Sequence, residues 1–178
     1  MKFLLVCLLL APVSLLAQAP SVPASWDTAK NVAALSAQAA RLKPMLDQMT
    51  PEAWVAKGAP QTYVTQWRSA QDELQYLTQA AALFEQQPER LTAALDTYFR
   101  LQSVEWRLET LIEAVRRYQN PAIGDLILGE LRQNTSHRDN LRQYITELAA
   151  QKEQQFSVVD QEAQRCRAQV LQPTSRRE

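Results

Sequence analysis

Few residues in this chain have the chemistry that metal binding or nucleophilic catalysis requires. The sequence contains one histidine, His137, and two cysteines, Cys7 and Cys166. A di-iron helical bundle needs two Glu-x-x-His motifs, but the residue three positions before His137 is Asn134. Zinc sites and haem attachment also need more His or Cys ligands than the chain holds. We therefore expect no metal, no cofactor and no catalytic constellation, and we do not expect an enzyme.

Apolar residues near the C-terminus form the main candidate for partner binding. They recur every three or four positions, as one face of a helix does: Phe156, Val159, Ala163, Cys166 and Val170. Cys166 on this face is either a small apolar residue or a thiol that forms an intermolecular disulfide. An apolar stripe left in water favours a partner helix. We expect a protein partner or self-association, with Cys166 near its mate in a second copy.

A second group of apolar and aromatic residues, near the middle of the chain, has two interpretations. The group consists of Met49, Trp54, Val55 and Tyr63. These residues lie in and beside a short helix that begins at Pro51, where a missing N–H costs nothing. They either cap one end of a helical bundle, which we favour, or line a pocket for a peptide or other ligand.

Glu105 is the one acidic residue close to the middle of an otherwise apolar helical stripe. We expect it to flank the core and reach water. On a slightly rotated stripe it would point inward, and it would then need an arginine, lysine or hydroxyl partner.

The N-terminus has the three parts of a secretory signal peptide. Lys2 precedes an apolar run, and small residues follow at Ala17 and Ala19. The apolar run is shorter than the roughly 20 residues that a membrane span needs. We predict a signal peptide over 1–17, with cleavage after Ala17 favoured over Ala19, and a flexible lead-in over 18–24.

Charge and cysteine content narrow the compartment and the partners. The 19 basic and 19 acidic residues balance, so nucleic acid is not an expected partner. Without the signal peptide, Cys166 is the only cysteine, whereas small secreted animal domains usually carry several disulfides. We expect an exported protein in a bacterial periplasm or outside the cell, with no transmembrane segment in the mature chain.

Apolar residues at alternating spacings of three and four predict an all-α, up-down bundle of about four helices. The predicted helices begin near Ser25 or Asp27, at Pro51, near Gln61 and near Pro88, and the last begins at Pro121. The single domain spans 25–171, and 172–178 is a disordered tail. Weak helix formers over 134–140 permit a break, but we favour a continuous last helix.

This pattern favours a helical interaction or adaptor protein that acts outside the cytoplasm. One rival is a small secreted all-α enzyme that works by Arg, Lys and Glu electrostatics, of the kind that chorismate mutase exemplifies. It would need several basic side chains that point into the bundle. Another rival is a sensor-type ligand-binding bundle.

Overall fold

The computed structural model describes residues 28–171, and these residues form helices and short connections without a strand. The helices are α1 (Thr28–Asp47), α2 (Pro51–Ala56), α3 (Thr62–Gln86), α4 (Leu91–Tyr118) and α5 (Pro121–Leu171). The prediction of an all-α bundle with a long C-terminal helix is confirmed. The predicted signal peptide, the lead-in, the start of the first helix and the C-terminal tail lie outside the described residues.

Local sequence explains where the middle helices begin and end. Pro51 and Pro121 each occupy the first helical position of their helix, where the N–H group has no acceptor in any case. Asn120 caps α5, since its Oδ1 accepts a hydrogen bond from the backbone N–H of Ala122 at 2.9 Å. Gly58 follows α2 with a φ of 92°, a left-handed conformation that favours glycine.

Four helices pack in a ring in the order α1, α3, α4, α5. The short connections between α3 and α4 and between α4 and α5 make these neighbours antiparallel, and α1 runs antiparallel to α3. The indole of Trp67, near the start of α3, donates a hydrogen bond to the carbonyl of Leu46 at the end of α1, at 2.8 Å. Large aliphatic and aromatic side chains from all four helices fill the centre, among them Leu42, Phe84, Leu101, Leu108, Ile127 and Leu148.

The last helix is continuous across the region where the sequence permitted a break. Residues 134–140 are all helical, although several have low helix propensity. Packing on both sides outweighs this propensity. Ile127 and Leu131 are buried before the region, and Leu141 and Leu148 are buried after it.

The length of α5 exceeds that of the bundle. At about 1.5 Å per residue, its 51 residues span about 77 Å, whereas the 28 residues of α4 span about 42 Å. The helix passes the α3–α4 connection where the Tyr144 hydroxyl donates to the carbonyl of Pro88 at 2.8 Å. Its turns after Lys152 lie beyond the bundle.

Candidate functional site: the projecting end of the C-terminal helix

The projecting segment, Glu153–Val170, is the C-terminal part of α5 that leaves the bundle. Every residue in it is exposed, and the half-buried Lys152 is the last residue that the bundle partly covers. A lone helix has no tertiary contacts to stabilise it, and most helical stability in proteins comes from packing of an apolar face. The projecting segment is therefore the part of the fold that has the least packing to stabilise it.

The apolar residues that the sequence identified all lie on this segment and share one of its faces. We refer to these five residues as the apolar stripe: Phe156, Val159, Ala163, Cys166 and Val170. Phe156 is 74% exposed, Val159 is 65% exposed and Val170 is 79% exposed. Cys166 is a free, exposed cysteine. The structure thus brings the predicted partner-binding residues together and leaves them uncovered.

The apolar stripe continues the face of α5 that packs against the core. About 18 residues make five full helical turns, so residues that far apart point in the same direction. Val159 lies five turns C-terminal to Leu141, and Cys166 lies five turns C-terminal to Leu148. Both leucines are fully buried against the other helices. The same face is therefore covered inside the bundle and bare beyond it.

Charged residues of both signs flank the apolar stripe. Asp160 and Arg167 each directly follow a stripe residue, and Glu162 directly precedes one. Arg165 pairs with Glu162 on the same helix at 2.9 Å. Among the described residues, neither Asp160 nor Arg167 makes an ion pair. Apolar positions flanked by charges are the pattern of a coiled-coil seam.

The second predicted site, Met49, Trp54, Val55 and Tyr63, lies at the opposite end of the bundle. Trp54 is 0% exposed and Met49 is 2% exposed, whereas Tyr63 and Val55 are half-buried. Trp54 and Tyr63 meet edge to face with ring centroids 6.3 Å apart. Since Trp54 has no free surface, a ligand would have to displace it. The geometry favours the interpretation that this group caps the bundle, and the pocket remains a prediction.

Gln119 holds this capped end together, and the sequence interpretation missed it. Its Oε1 accepts hydrogen bonds from the Trp54 indole at 2.9 Å and from the backbone N–H of Thr50 at 3.1 Å. Its Nε2 donates to the carbonyl of Gln48 at 2.8 Å. These partners are about 70 residues away along the chain. No local pattern indicates such a role for one glutamine among many.

Glu105 is buried, and the expectation that it reaches water was wrong. Its carboxylate accepts a hydrogen bond from Arg138 of α5 at 2.9 Å, and the residue is only 7% exposed. Burial raises the pKa of the Glu105 carboxyl above its ordinary value of 4.5, and the Arg138 guanidinium opposes this shift. The pair joins α4 to the polar middle of α5, which helps to explain why that helix continues there.

A groove between α1 and α3 is the other concave surface of note. Small residues of α1, including Ser36, Ala39 and Ala40, form one wall, and polar residues of α3 form much of the other. Lys43 is its one basic side chain, beside Asp47 and Asp72. Lys43 already bonds Asp47 at 2.6 Å. This mixed lining differs from the cluster of basic side chains that an electrostatic enzyme of the kind considered above would need.

Residues 28–171 hold no group of three or more His, Cys, Asp or Glu side chains placed to bind a metal ion. None of the described helices combines the length and the apolar character that crossing a membrane requires.

Comparisons of the chain with protein-family models, curated proteins and solved structures found no match.

Proposed function

We propose that this protein is an exported helical adaptor that binds a protein partner through the apolar stripe of its projecting segment. The bundle serves as the folded base, and α5 carries the binding surface away from it. The observation that supports this proposal is the bare continuation of a core-facing stripe beyond the bundle, with Phe156 and Val159 largely exposed.

Exposure of this kind is costly unless a partner removes it. Burying a valine or phenylalanine side chain is worth about 1.5–3 kcal/mol, and the apolar stripe holds Phe156, Val159 and Val170 in water. An apolar row flanked by charges fits a second helix, because helical partners read anchors at spacings of three and four. The partner class is therefore a protein that offers an amphipathic helix.

A matched pair of variants tests this proposal. Val159→Glu places a charge in the centre of the apolar stripe, whereas Gln161→Glu places the same charge on the opposite, exposed face. The mature wild-type protein and both variants are immobilised and exposed to an extract of the native envelope. A protein that binds wild type and Gln161→Glu, and is then purified for affinity measurement, should bind Val159→Glu at least 10-fold more weakly.

The opposite result would reject the adaptor proposal. If every captured protein binds Val159→Glu as tightly as Gln161→Glu, the apolar stripe is not the binding surface. Circular dichroism of both variants checks that the helical fold is retained. Since every residue of the projecting segment is exposed, neither substitution should disturb the bundle.

Export is the second part of the proposal and has its own measurement. The n-region, the apolar run and the small residues at Ala17 and Ala19 support it. Mass analysis of the native protein should find an N-terminus at Gln18 or Pro20. Recovery of the mature pool with Met1 intact would contradict it.

A further inference from the structure

The bundle limits how any helix can pair with the apolar stripe. The stripe lies on the same face as Leu141 and Leu148, and that face is covered by the bundle's own helices. At Tyr144, for example, Phe84 of α3 packs with ring centroids 5.8 Å apart. The partner helix can therefore follow the stripe only over the projecting segment.

This limit determines the direction of pairing between two copies of the chain. If two projecting segments ran parallel, their bundles would lie at the same end of the pair, each on the side of its α5 that faces the other copy. Each bundle's α1, α3 and α4 would then compete for the space between the two copies of α5. An antiparallel arrangement places the two bundles at opposite ends, so that only the projecting segments meet.

We propose that the partner is a second copy of this chain, and that the two projecting segments pair antiparallel. In this pairing Val159 lies opposite Val170 of the second copy, and Ala163 lies opposite Cys166 of the second copy. This inference rests on the proposed function, because it identifies the occupant of the same apolar stripe.

Charge complementarity selects this register. In this antiparallel pair, the residue that follows Val159 in one copy faces the residue that follows Cys166 in the other copy. Charges that flank a seam in this way set the orientation of the helices and the choice of partner. In the proposed register Asp160 faces Arg167 of the second copy, and symmetry repeats this contact. Glu162 faces the uncharged Gln169 of the second copy. The interface thus has two attractive pairs and no repulsive one.

The neighbouring registers bring like charges together. A shift of one heptad in one direction places Glu153 against Arg167, but it also places Asp160 against Asp160 and Glu162 against Glu162. The opposite shift places Arg167 against Arg167. Like charges across a helix pair are destabilising. In the proposed register the stripes overlap over 159–170, Phe156 lies beyond this overlap, and these like charges stay apart.

The proposed dimer is a dumbbell. The half-buried Lys152 marks the edge of each bundle, and the two edges lie about 37 Å apart along the axis, the rise of about 25 helical residues. Within the described residues, α5 of one copy overlaps α5 of the other over 158–171. Only the projecting segments are buried between the copies, so the dimer should be weak and should respond to salt. Each Cys166 lies one layer of the seam away from its counterpart.

Charge exchange tests the register directly. Sedimentation equilibrium in reducing, low-salt buffer is performed on Asp160→Arg, on Arg167→Asp and on the double variant. Each single variant creates two repulsive pairs and should raise the dimer Kd about 10- to 30-fold. An equimolar mixture of the two single variants should associate again, because arginines then face aspartates at both contacts. The double variant should also dimerise with nearly wild-type affinity.

Other outcomes would overturn the register or the whole pairing. In a parallel pair Glu162 would face Arg167 of the second copy and Gln155 would face Asp160. Arg167→Asp and the double variant would then both dissociate, whereas Asp160→Arg alone would stay dimeric. A wild-type protein that is monomeric at high concentration would reject the second copy as partner. If Val159→Glu then still abolishes binding of a different protein, the adaptor proposal survives. If Val159→Glu changes neither assay, both proposals fail.

Discussion

Truncation of Leu108 to alanine measures how much the bundle core contributes to stability. Leu108 is 1% exposed in the middle of α4. The substitution removes three carbon atoms from the core, worth about 2.4 kcal/mol at roughly 0.8 kcal/mol per methylene. It also leaves a cavity that tightly packed helices cannot close. We therefore expect a loss of about 3–5 kcal/mol in the free energy of unfolding.

The same substitution at Leu74, leucine to alanine, provides a comparison at a second site. It is 5% exposed and lines the groove between α1 and α3. Water or neighbouring side chains can enter the space that its truncation creates, so the expected loss from Leu74→Ala is smaller, about 2–3 kcal/mol. Leu126→Ala is the control: because this leucine is 60% exposed, the expected change is below about 0.5 kcal/mol.

Urea unfolding followed by far-ultraviolet circular dichroism measures all three variants under identical conditions. The loss in the free energy of unfolding should be largest for Leu108→Ala, smaller for Leu74→Ala and smallest for Leu126→Ala. Equal losses at Leu108 and Leu126 would refute the packing of α4, and a larger loss at Leu74 than at Leu108 would refute the role given to the groove.

Three more predictions concern the length of α5, its buried pair and the capped end. A chain that stops after Lys152 should unfold with a free energy within about 1 kcal/mol of wild type, since residues 153–170 are exposed; a molten product by near-ultraviolet dichroism would contradict this. Burial raises the pKa of Glu105 in the folded protein, so the charged carboxylate lowers the free energy of unfolding at neutral pH. This loss of stability disappears as the pH falls through the raised pKa towards 4.5, because the carboxyl then becomes protonated in the folded state. Glu105→Gln should thus be at least as stable as wild type at pH 7, with the difference shrinking by pH 4.5 in urea titrations; a difference that grows on acidification would reverse the sign. Gln119→Ala should cost about 1–3 kcal/mol and expose Trp54 to a fluorescence quencher, because it leaves the indole N–H without its acceptor; unchanged quenching would argue against the capped end.

The fold was predictable from the sequence because its signals are local and repeated. Alternating spacings of three and four residues specify which face of each helix is apolar, and prolines at 51 and 121 mark helix starts. The long α5 was predictable for the same reason: no glycine or proline interrupts 134–140. The candidate surface at 156–170 followed from periodicity combined with length, since a helix longer than its neighbours must leave them.

Contacts between distant parts of the chain were not predictable in this way. The sequence interpretation placed Glu105 at the edge of the core, because nothing near it indicates that Arg138 will lie 2.9 Å away. Gln119 is one of many glutamines until the fold brings it to Trp54. Trp106 directly follows the buried Glu105 and is nevertheless 64% exposed, since a small rotation of α4 decides which side of the stripe is covered.

The sequence by itself therefore determined the class of fold, the helix order and the apolar face of each helix, because periodicity is a property of neighbouring residues. Only the tertiary structure decided which of those faces are covered. It buried Glu105 against Arg138, closed Trp54 under Gln119 and left the apolar stripe bare beyond Lys152. Burial depends on where other helices end, and that is set by packing among residues far apart in the chain.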